Sequence, residues 1–216
     1  MIAANSRSIR KTEWVFRAAR SERTRSHPAV HPRPPSTPRY NGGVAFTIRD
    51  FQPADFDTLW RIDQDCFPPG ISYSRMELKV YMHGRGSFTL VAVGVAGEAD
   101  PDLGKSKKYS PPITSLESTI AGFIVTEARR GSGHIITIDV IAAARRSGVG
   151  SLLLHAAENR LRAAGCSSVG LEAAVDNVSA LSFYKRHGYS VIRTFPRYYS
   201  NGVDALVLEK DLKSEE

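Results

Sequence analysis

The spacing of apolar residues separates a patternless N-terminal segment from a region with regular alternation and helical periodicity. Residues 1–45 show no hydrophobic repeat. From residue 46, apolar positions predict strands at 46–49, 88–93, 119–127, 133–140, 167–173, 188–195 and 203–209. Helical spacing predicts helices that begin near residues 52, 72, 149 and 177. This order predicts one α/β domain over 46–213, with a mixed, mostly antiparallel sheet of about seven strands flanked by about four helices.

Residues 1–45 contain too little apolar surface to offset the entropy that ordering would cost, so we predict a disordered basic tail rich in proline and arginine. Its composition, rich in arginine and serine and poor in acids, leaves a transit peptide as one alternative. A non-native extension upstream of a start near Val44 is the other. The polar segment 97–117 is long for a connection, and we expect a mobile or functional loop there.

Charge and cysteine content narrow the class of protein. Residues 1–45 hold nine Lys/Arg and two Asp/Glu, which accounts for the whole formal net charge of +7. The domain therefore gives no case for a nucleic-acid partner, and we expect such binding only through the tail, if at all. No apolar run reaches the roughly 18 residues of a membrane span, so we expect no membrane partner. Cys66 and Cys166 form no CxxC pair, and we predict reduced thiols in a cytoplasmic protein.

The segment 140–154 holds the most specific motif in the chain. A predicted strand ends, a turn follows, and Gly148 and Gly150 stand where a helix begins. Helix N-termini attract anions, glycines let main chain approach a phosphate closely, and the adjacent Arg145 and Arg146 add positive charge. A Walker loop is excluded because no GK[ST] follows, and the dinucleotide fingerprint fails at Leu153. The alternative is a plain helix start with two permissive glycines.

Arg145-x-x-Gly148-x-Gly150 resembles the Q/R-x-x-G-x-G/A pyrophosphate loop of the GNAT acetyltransferases. The stretch from Glu172 to Ala205 is similar to the bacterial ribosomal-protein alanine N-acetyltransferases, the RimI type, within that superfamily. The resemblance covers about 46–210 and is weak over 97–117. It implies the GNAT fold, acetyl-CoA as cosubstrate, and no metal.

The resemblance also implies roles for individual residues. Glu172 is the expected general base and Tyr184 the expected acid, with an ion-pair partner and a packing aromatic as the respective alternatives. Tyr198 and Tyr199 are expected to line the peptide entrance, although plain packing is equally consistent with their type. The residues expected to bind coenzyme A are Ile138, Asp139, Val140, Arg145, Arg146, Ser147, Gly148, Val149, Gly150, Ser151 and Asn177.

Two features complete the expectations for the site. Ala174 stands where the RimI type has an arginine near the peptide, which leaves the acceptor open. His134 and His155 are predicted on a strand surface and a helix surface, without a role.

The resemblance predicts transfer of acetyl to a primary amine, foremost a protein N-terminal α-amino group, with a ribosomal protein as a candidate acceptor. At neutral pH about a tenth of an α-amino group with a pKa near 8 is free base, against well under a thousandth of lysine. Two alternatives remain. One is an acetyltransferase for a small amine such as a polyamine, an amino acid or an antibiotic, and the other is a coenzyme-A-binding module without turnover.

Overall fold

The structure, a computed structural model, describes residues 44–96 and 119–213. The predicted loop 97–117 lies outside the described residues, as does the predicted tail except for its last two residues, which belong to the first strand. The strands are β1 (Val44–Asp50), β2 (Ser87–Ala96), β3 (Ile120–Arg129), β4 (Ser132–Val140), β5 (Ser168–Ala174), β6 (Ser190–Phe195) and β7 (Ala205–Asp211). The α-helices are α1 (Phe56–Cys66), α2 (Arg75–Met82), α3 (Val149–Ala163) and α4 (Val178–Arg186).

The strands form one sheet in the order β1-β2-β3-β4-β5-β7-β6. Every neighbouring pair is antiparallel except β4 and β5, which are parallel and joined through α3. A parallel pair needs such a crossover because the chain must return to the starting edge. The predicted mixed, mostly antiparallel sheet with four α-helices is confirmed for the described residues.

The only parallel pair in the described sheet is also short. β4 and β5 are paired at just three positions, from Ser132 opposite Ser168 to His134 opposite Gly170. Beyond these residues β4 stays paired with β3, and β5 stays paired with β7. The sheet therefore splits between its two central strands, and main-chain groups facing the split are left without a neighbouring strand.

The sheet is covered on both faces. On one face α3 buries the side chains of Leu153, Leu154 and Leu161 against β2 to β5. On the other, α1 packs through Leu59 and Ile62. Removing a leucine or isoleucine side chain from water contributes about 1.5–3 kcal/mol, so these two apolar layers are the main source of stability. Among the described residues, no helix has the length and apolar character needed to cross a membrane.

A β-bulge in β4 changes which face its residues point to. Opposite β3 the register shifts, so that Ile135 pairs with Thr126 while Thr137 pairs with Val125. The extra residue, Ile136, interrupts the alternation of side chains along the strand. As a result Ile135 packs on the α3 face, and the neighbouring His134 is turned toward the α1 face.

Candidate active site

The main chain of β4 supplies polar groups to the split. The N–H of Ile141 donates to the carbonyl of Ala121 on β3 at 3.0 Å. Because main-chain groups alternate in direction along a strand, Ile138 and Val140 point their N–H and C=O away from β3, into the split. Asp139, also expected at the cosubstrate, has its main chain on the β3 side and does not share this orientation.

The start of α3 presents free amides. Gly148 is the N-cap, with φ 90°, a left-handed conformation that glycine adopts without strain. Leu152 is the first residue of α3 to close a helical hydrogen bond, to the Gly148 carbonyl at 3.0 Å. No side chain caps the helix. The amides of Val149, Gly150 and Ser151 therefore remain available to an anion at the positive end of the helix dipole.

Contacts of Gly150 place this helix start beside β4 and α4. A Cβ atom on Gly150 would lie 3.4 Å from the Phe183 ring and 3.9 Å from the Val140 side chain. The preceding arginines, Arg145 and Arg146, are exposed. Arg145 now folds back, and its Nε donates to the Val140 carbonyl at 3.1 Å.

The remaining residues expected at the cosubstrate make local contacts. The Ser147 hydroxyl donates to the Ala144 carbonyl at 2.7 Å, and the Ser151 hydroxyl lies 2.9 Å from Nε2 of His187. Asn177 caps α4, because its Oδ1 accepts from the Ala180 amide at 3.0 Å. The role of Asn177 toward coenzyme A stays a prediction.

Glu172 lies on β5 just past the last residue paired with β4, and its side chain is buried. Its Oε2 atom lies 2.8 Å from Nε2 of His134, and the two side chains are only 7% and 6% exposed. The expectation that His134 lies on a strand surface is wrong, because both faces of the sheet are covered and its side chain is buried against Glu172. His155 is exposed on α3, as expected. In the described part of the chain, Oε1 of Glu172 and Nδ1 of His134 have no hydrogen-bond partner.

Tyr198 and Tyr199, in the loop between β6 and β7, stand beside Glu172. The Tyr199 hydroxyl points to the Glu172 carbonyl oxygen at 3.5 Å. Burial raises the pKa of both phenols, and the negative charge of Glu172 raises it further. Both hydroxyls therefore stay protonated at neutral pH and can donate hydrogen bonds within the cleft.

Tyr184 projects from α4 and is buried in the same layer as the α3 leucines. Burial raises the pKa of its phenol, and the nearby Asp139 and Tyr199 raise it further. Within the described residues, no hydrogen bond of its hydroxyl is found. The ring therefore packs in the core, while the hydroxyl is near Asp139 of β4 and Tyr199 of the opposing loop.

Two buried carboxyl groups lie close together on the α1 face of β4. Asp139 accepts a hydrogen bond from the Thr137 hydroxyl at 3.0 Å, and Asp63 of α1 accepts one from the Tyr73 amide at 2.8 Å. Burial raises the pKa of Asp63 to about 6. The pKa of Asp139 lies well above its ordinary value, first through burial and then through the charge of Asp63.

Two loops bridge the split. The Tyr73 hydroxyl, from the loop between α1 and α2, donates to the Ile136 carbonyl of β4 at 3.2 Å. Tyr199, from the β6–β7 loop, contacts β5 on the other side of the split. The loops meet where the Ser200 hydroxyl donates to the Gly70 carbonyl at 2.8 Å. They therefore restrict access to Glu172 from the α1 face.

Residues 57–189 match the model of the acetyltransferase (GNAT) family, which is more than half of the chain. The chain belongs to the GNAT acetyltransferase family. Membership confirms the predicted fold and the predicted enzyme class.

Archaeal GNAT proteins are among the relatives. An uncharacterized N-acetyltransferase of Methanocaldococcus jannaschii is 35% identical over 99 residues, 45% of this chain and 64% of its own length. An N-alpha-acetyltransferase of Sulfurisphaera tokodaii is 32% identical over 113 residues, 46% of this chain and 68% of its own length. The chain thus spans about two thirds of the length of these relatives.

Solved structures share the fold at lower identity. Ard1 from Thermoplasma volcanium aligns over 78% of this chain and 99% of its own, with a TM-score of 0.62 and 24% identity. The ribosomal-protein-S18-alanine N-acetyltransferase from Escherichia coli aligns over 79% and 96%, with a TM-score of 0.59 and 17% identity. At these identities the likeness concerns the fold alone.

Sequence reasoning missed three residues of the cleft, His134, Tyr73 and Asp63. The position of His134 in the cleft could not be predicted, because the alternation of apolar and polar residues along a strand does not reveal a β-bulge. Tyr73 lies in a loop, where no periodicity exists. Asp63 did carry a signal, since it follows Ile62 directly on the otherwise apolar inner side of α1 and is fully buried there. A polar residue on a buried helix face is a reasonable marker of a functional or structural site.

Proposed function

We propose that this GNAT protein transfers acetyl from acetyl-CoA to the α-amino group at the N-terminus of a polypeptide. The observation that carries the proposal is the split between β4 and β5. It combines free main-chain amides, a buried carboxylate with one open oxygen, and a phenol on the opposite side.

The residues present fit coenzyme A. The α3 amides and Arg146 suit a diphosphate, because unpaired N–H groups and a guanidinium both favour phosphate oxygens. Ile138 and Val140 offer outward main-chain groups that suit an amide-containing arm such as pantetheine. Acetyl-CoA supplies the acetyl group as a thioester, and an N–H of β4 would stabilise negative charge on its carbonyl oxygen.

The proton transfers can be assigned to side chains of this protein. Glu172 accepts a proton from the acceptor ammonium at Oε1, and the electron pair of that N–H bond stays on nitrogen. As the new C–N bond forms and the C–S bond breaks, the Tyr184 phenol donates its proton to the departing sulfur. The tyrosine is reprotonated by the second proton of the amine nitrogen, so that the products are an amide and a thiol.

An N-terminal amine is the acceptor class that the cleft supports best. Its pKa is low enough that a carboxylate suffices as base, whereas a lysine side chain asks for about 2.5 pKa units more. The joined loops leave a narrow approach to Glu172, which suits a chain end. The Sulfurisphaera relative is named an N-alpha-acetyltransferase, which supports the same acceptor. A RimI-type ribosomal acceptor is a finer proposal that rests on the sequence resemblance.

The remaining proposals concern the cellular setting. We infer a cytoplasmic location, for which the free thiols of Cys66 and Cys166 are the support. The basic tail is proposed to assist association with ribosomal RNA through phosphate contacts. If removal of residues 1–43 left salt-dependent RNA binding unchanged, that role of the tail would be wrong.

Acceptor profiling tests the proposed function. Purified full-length protein is incubated with acetyl-CoA, a panel of peptides with free N-termini, the same peptides blocked at the N-terminus but carrying lysine, and small amines. Mass spectrometry then locates the acetyl group. We expect modification of α-nitrogen in at least one free peptide. Modification of small amines or lysine alone would contradict the proposal.

A further inference from the structure

The contact between His134 and Glu172 joins two strands across the point at which the sheet splits. Both side chains are buried, and Nε2 of His134 contacts Oε2 of Glu172. The Tyr198 phenol also hydrogen-bonds the Glu172 carboxylate, whereas Nδ1 of His134 and Oε1 of Glu172 have no partner in the described residues. Leaving a buried polar atom without a partner costs about 1–3 kcal/mol, so such an arrangement is expected where a substrate completes it. The open Glu172 oxygen is the atom to which the proposed function assigns the acceptor's proton.

The surroundings of His134 are charged on several sides. On β3, Glu127 lies opposite it and forms an ion pair with Arg129 at 2.6 Å. On β5 it faces Glu172 itself. The other titratable groups near the pair are Tyr73 of the α1–α2 loop and Tyr198 and Tyr199 of the β6–β7 loop. Burial lowers the pKa of His134, but Glu172 and then Glu127 more than offset that effect, and the net shift is upward.

We propose that His134 is a positioning residue for acetyl transfer, which fixes Oε2 of Glu172 through Nε2 and so leaves Oε1 as the base that receives the acceptor's proton. This inference rests on the proposed function. Because Glu172 is already held through Oε2, its rotamer is fixed, and the side chain loses little conformational freedom when the amine binds.

The ring also controls how strong that base is. While both ring nitrogens carry protons, the imidazolium charge favours the ionised carboxylate and weakens it as a base. When the ring gives up its Nδ1 proton, it keeps the Nε2–H bond to Glu172 and the carboxylate becomes a stronger base. The rate of acetyl transfer therefore rises with pH as His134 loses its proton.

The test compares His134→Gln with the wild-type protein. A glutamine amide can donate the same hydrogen bond to Glu172 but does not titrate, so the variant separates positioning from charge. kcat/KM is measured from pH 6 to 9 with one free-N-terminus peptide, and the ratio of wild type to variant cancels the acceptor's own ionisation. His83→Gln, at an exposed histidine beyond the end of α2, is the matched control.

We expect the ratio of wild type to His134→Gln to rise about tenfold or more across this range, in line with one ionisation of a group of this type. His134→Ala, which cannot donate the bond, should lose at least a further tenfold in kcat while its KM for acetyl-CoA stays the same. A ratio for His134→Gln that stays flat within twofold, as expected for His83→Gln, would overturn the inference.

A second measurement does not depend on turnover or on folding of a His134 variant. The titration of His134 is followed by NMR in wild type and in Glu172→Gln, with histidine labelled in the ring. Neutralising Glu172 should lower the pKa of His134, because the charge of the carboxylate and its hydrogen bond to the ring both raise that pKa. Identical titrations would show that the two groups are uncoupled and would refute the inference. If instead wild type acetylates no α-amine at all, the proposed function has failed, whatever the titration shows.

Discussion

Two buried glutamates in this protein have opposite surroundings. Glu158 on α3 is complete: Oε1 accepts from the Tyr189 hydroxyl at 3.0 Å, and Oε2 lies 2.9 Å from the Lys210 ammonium. Glu172 has one oxygen bound to His134 and one open. A completed network serves the fold, since every buried polar atom is compensated. An incomplete one destabilises the empty protein and is retained where a ligand is bound.

The same contrast extends to the carboxyl groups near β4. Among the described residues, the buried side-chain atoms without a hydrogen bond belong to Asp63, Thr89, Thr126, His134, Asp139 and Glu172. Asp63, His134, Asp139 and Glu172, four of these six, lie on the α1 face around the split. The Glu158 network on the opposite face contributes none. Polar groups left open thus concentrate at the candidate active site.

The largest effect on acetyl transfer is expected for Glu172→Gln. The variant keeps the shape of the side chain but removes its basicity, so we expect kcat/KM to fall by about 10²- to 10⁴-fold, the usual contribution of a positioned base. Acetyl-CoA affinity, measured by calorimetry, should not change. Full activity in this variant would show that Glu172 is not the general base.

The next largest effect is expected for Tyr184→Phe. Loss of the proton donor should lower kcat by about 10²-fold, with acetyl-CoA binding retained because the ring still packs. Tyr189→Phe is the matched control, since that ring lies 5.3 Å from Tyr184 but its hydroxyl serves Glu158. Steady-state rates that fall equally in both variants would show that Tyr184 acts through packing alone.

A smaller effect concerns Asp63 and appears as a dependence of stability on pH. Burial raises the pKa of Asp63 in the folded protein to about 6, above the ordinary value of 3.8, so the folded state holds the proton more tightly. Unfolding free energy must therefore fall as pH rises from about 4 to 6, by about 2–3 kcal/mol for this group alone. Asp63→Asn should remove that decrease, and Asp65→Asn, at an exposed site on α1, should not. Parallel stability curves for wild type and Asp63→Asn in denaturant titrations would contradict the shift.

The smallest effect is predicted for Glu158→Gln, the counterpart of the first variant. It weakens the charged hydrogen bond to Lys210, at a cost of about 1.5–2 kcal/mol of unfolding free energy. The rate of acetyl transfer per folded molecule should be unchanged, because the group lies on the opposite face from the site. The comparison fails if this variant loses activity while its stability is preserved.

The order of elements was predictable because apolar spacing is a local property. Ser74, one of two expected caps of α2, does cap that helix and accepts from the Glu77 amide at 3.3 Å. The loop that ends at Gly148 could be predicted because its features, a helix start and permissive glycines, lie in adjacent residues. The order of elements, the Ser74 cap and the loop that ends at Gly148 are local features, so they could be predicted without knowing which strands pair.

The cleft was predictable only in part, because its chemistry depends on pairing between distant segments. Glu172 and Tyr184 came from a motif, yet the partner of Glu172 did not. His134 reaches it because β4 pairs with β5 with His134 opposite Gly170, two residues before Glu172, and that register is decided by tertiary packing. Tyr73 reaches β4 through a loop held by Asp63, 10 residues earlier. Neither contact has a signature within a single segment.

We propose that coenzyme A binds in the split between β4 and β5 and at the start of α3. The most direct measurement is a titration of the ¹⁵N-labelled protein with coenzyme A, followed by NMR of the main-chain amides. The account predicts saturable shifts at Val149, Gly150 and Ser151 and at Val140, with the Glu158 region unchanged. Saturable binding that shifts other amides and leaves these four unchanged, or no binding at all, would contradict it.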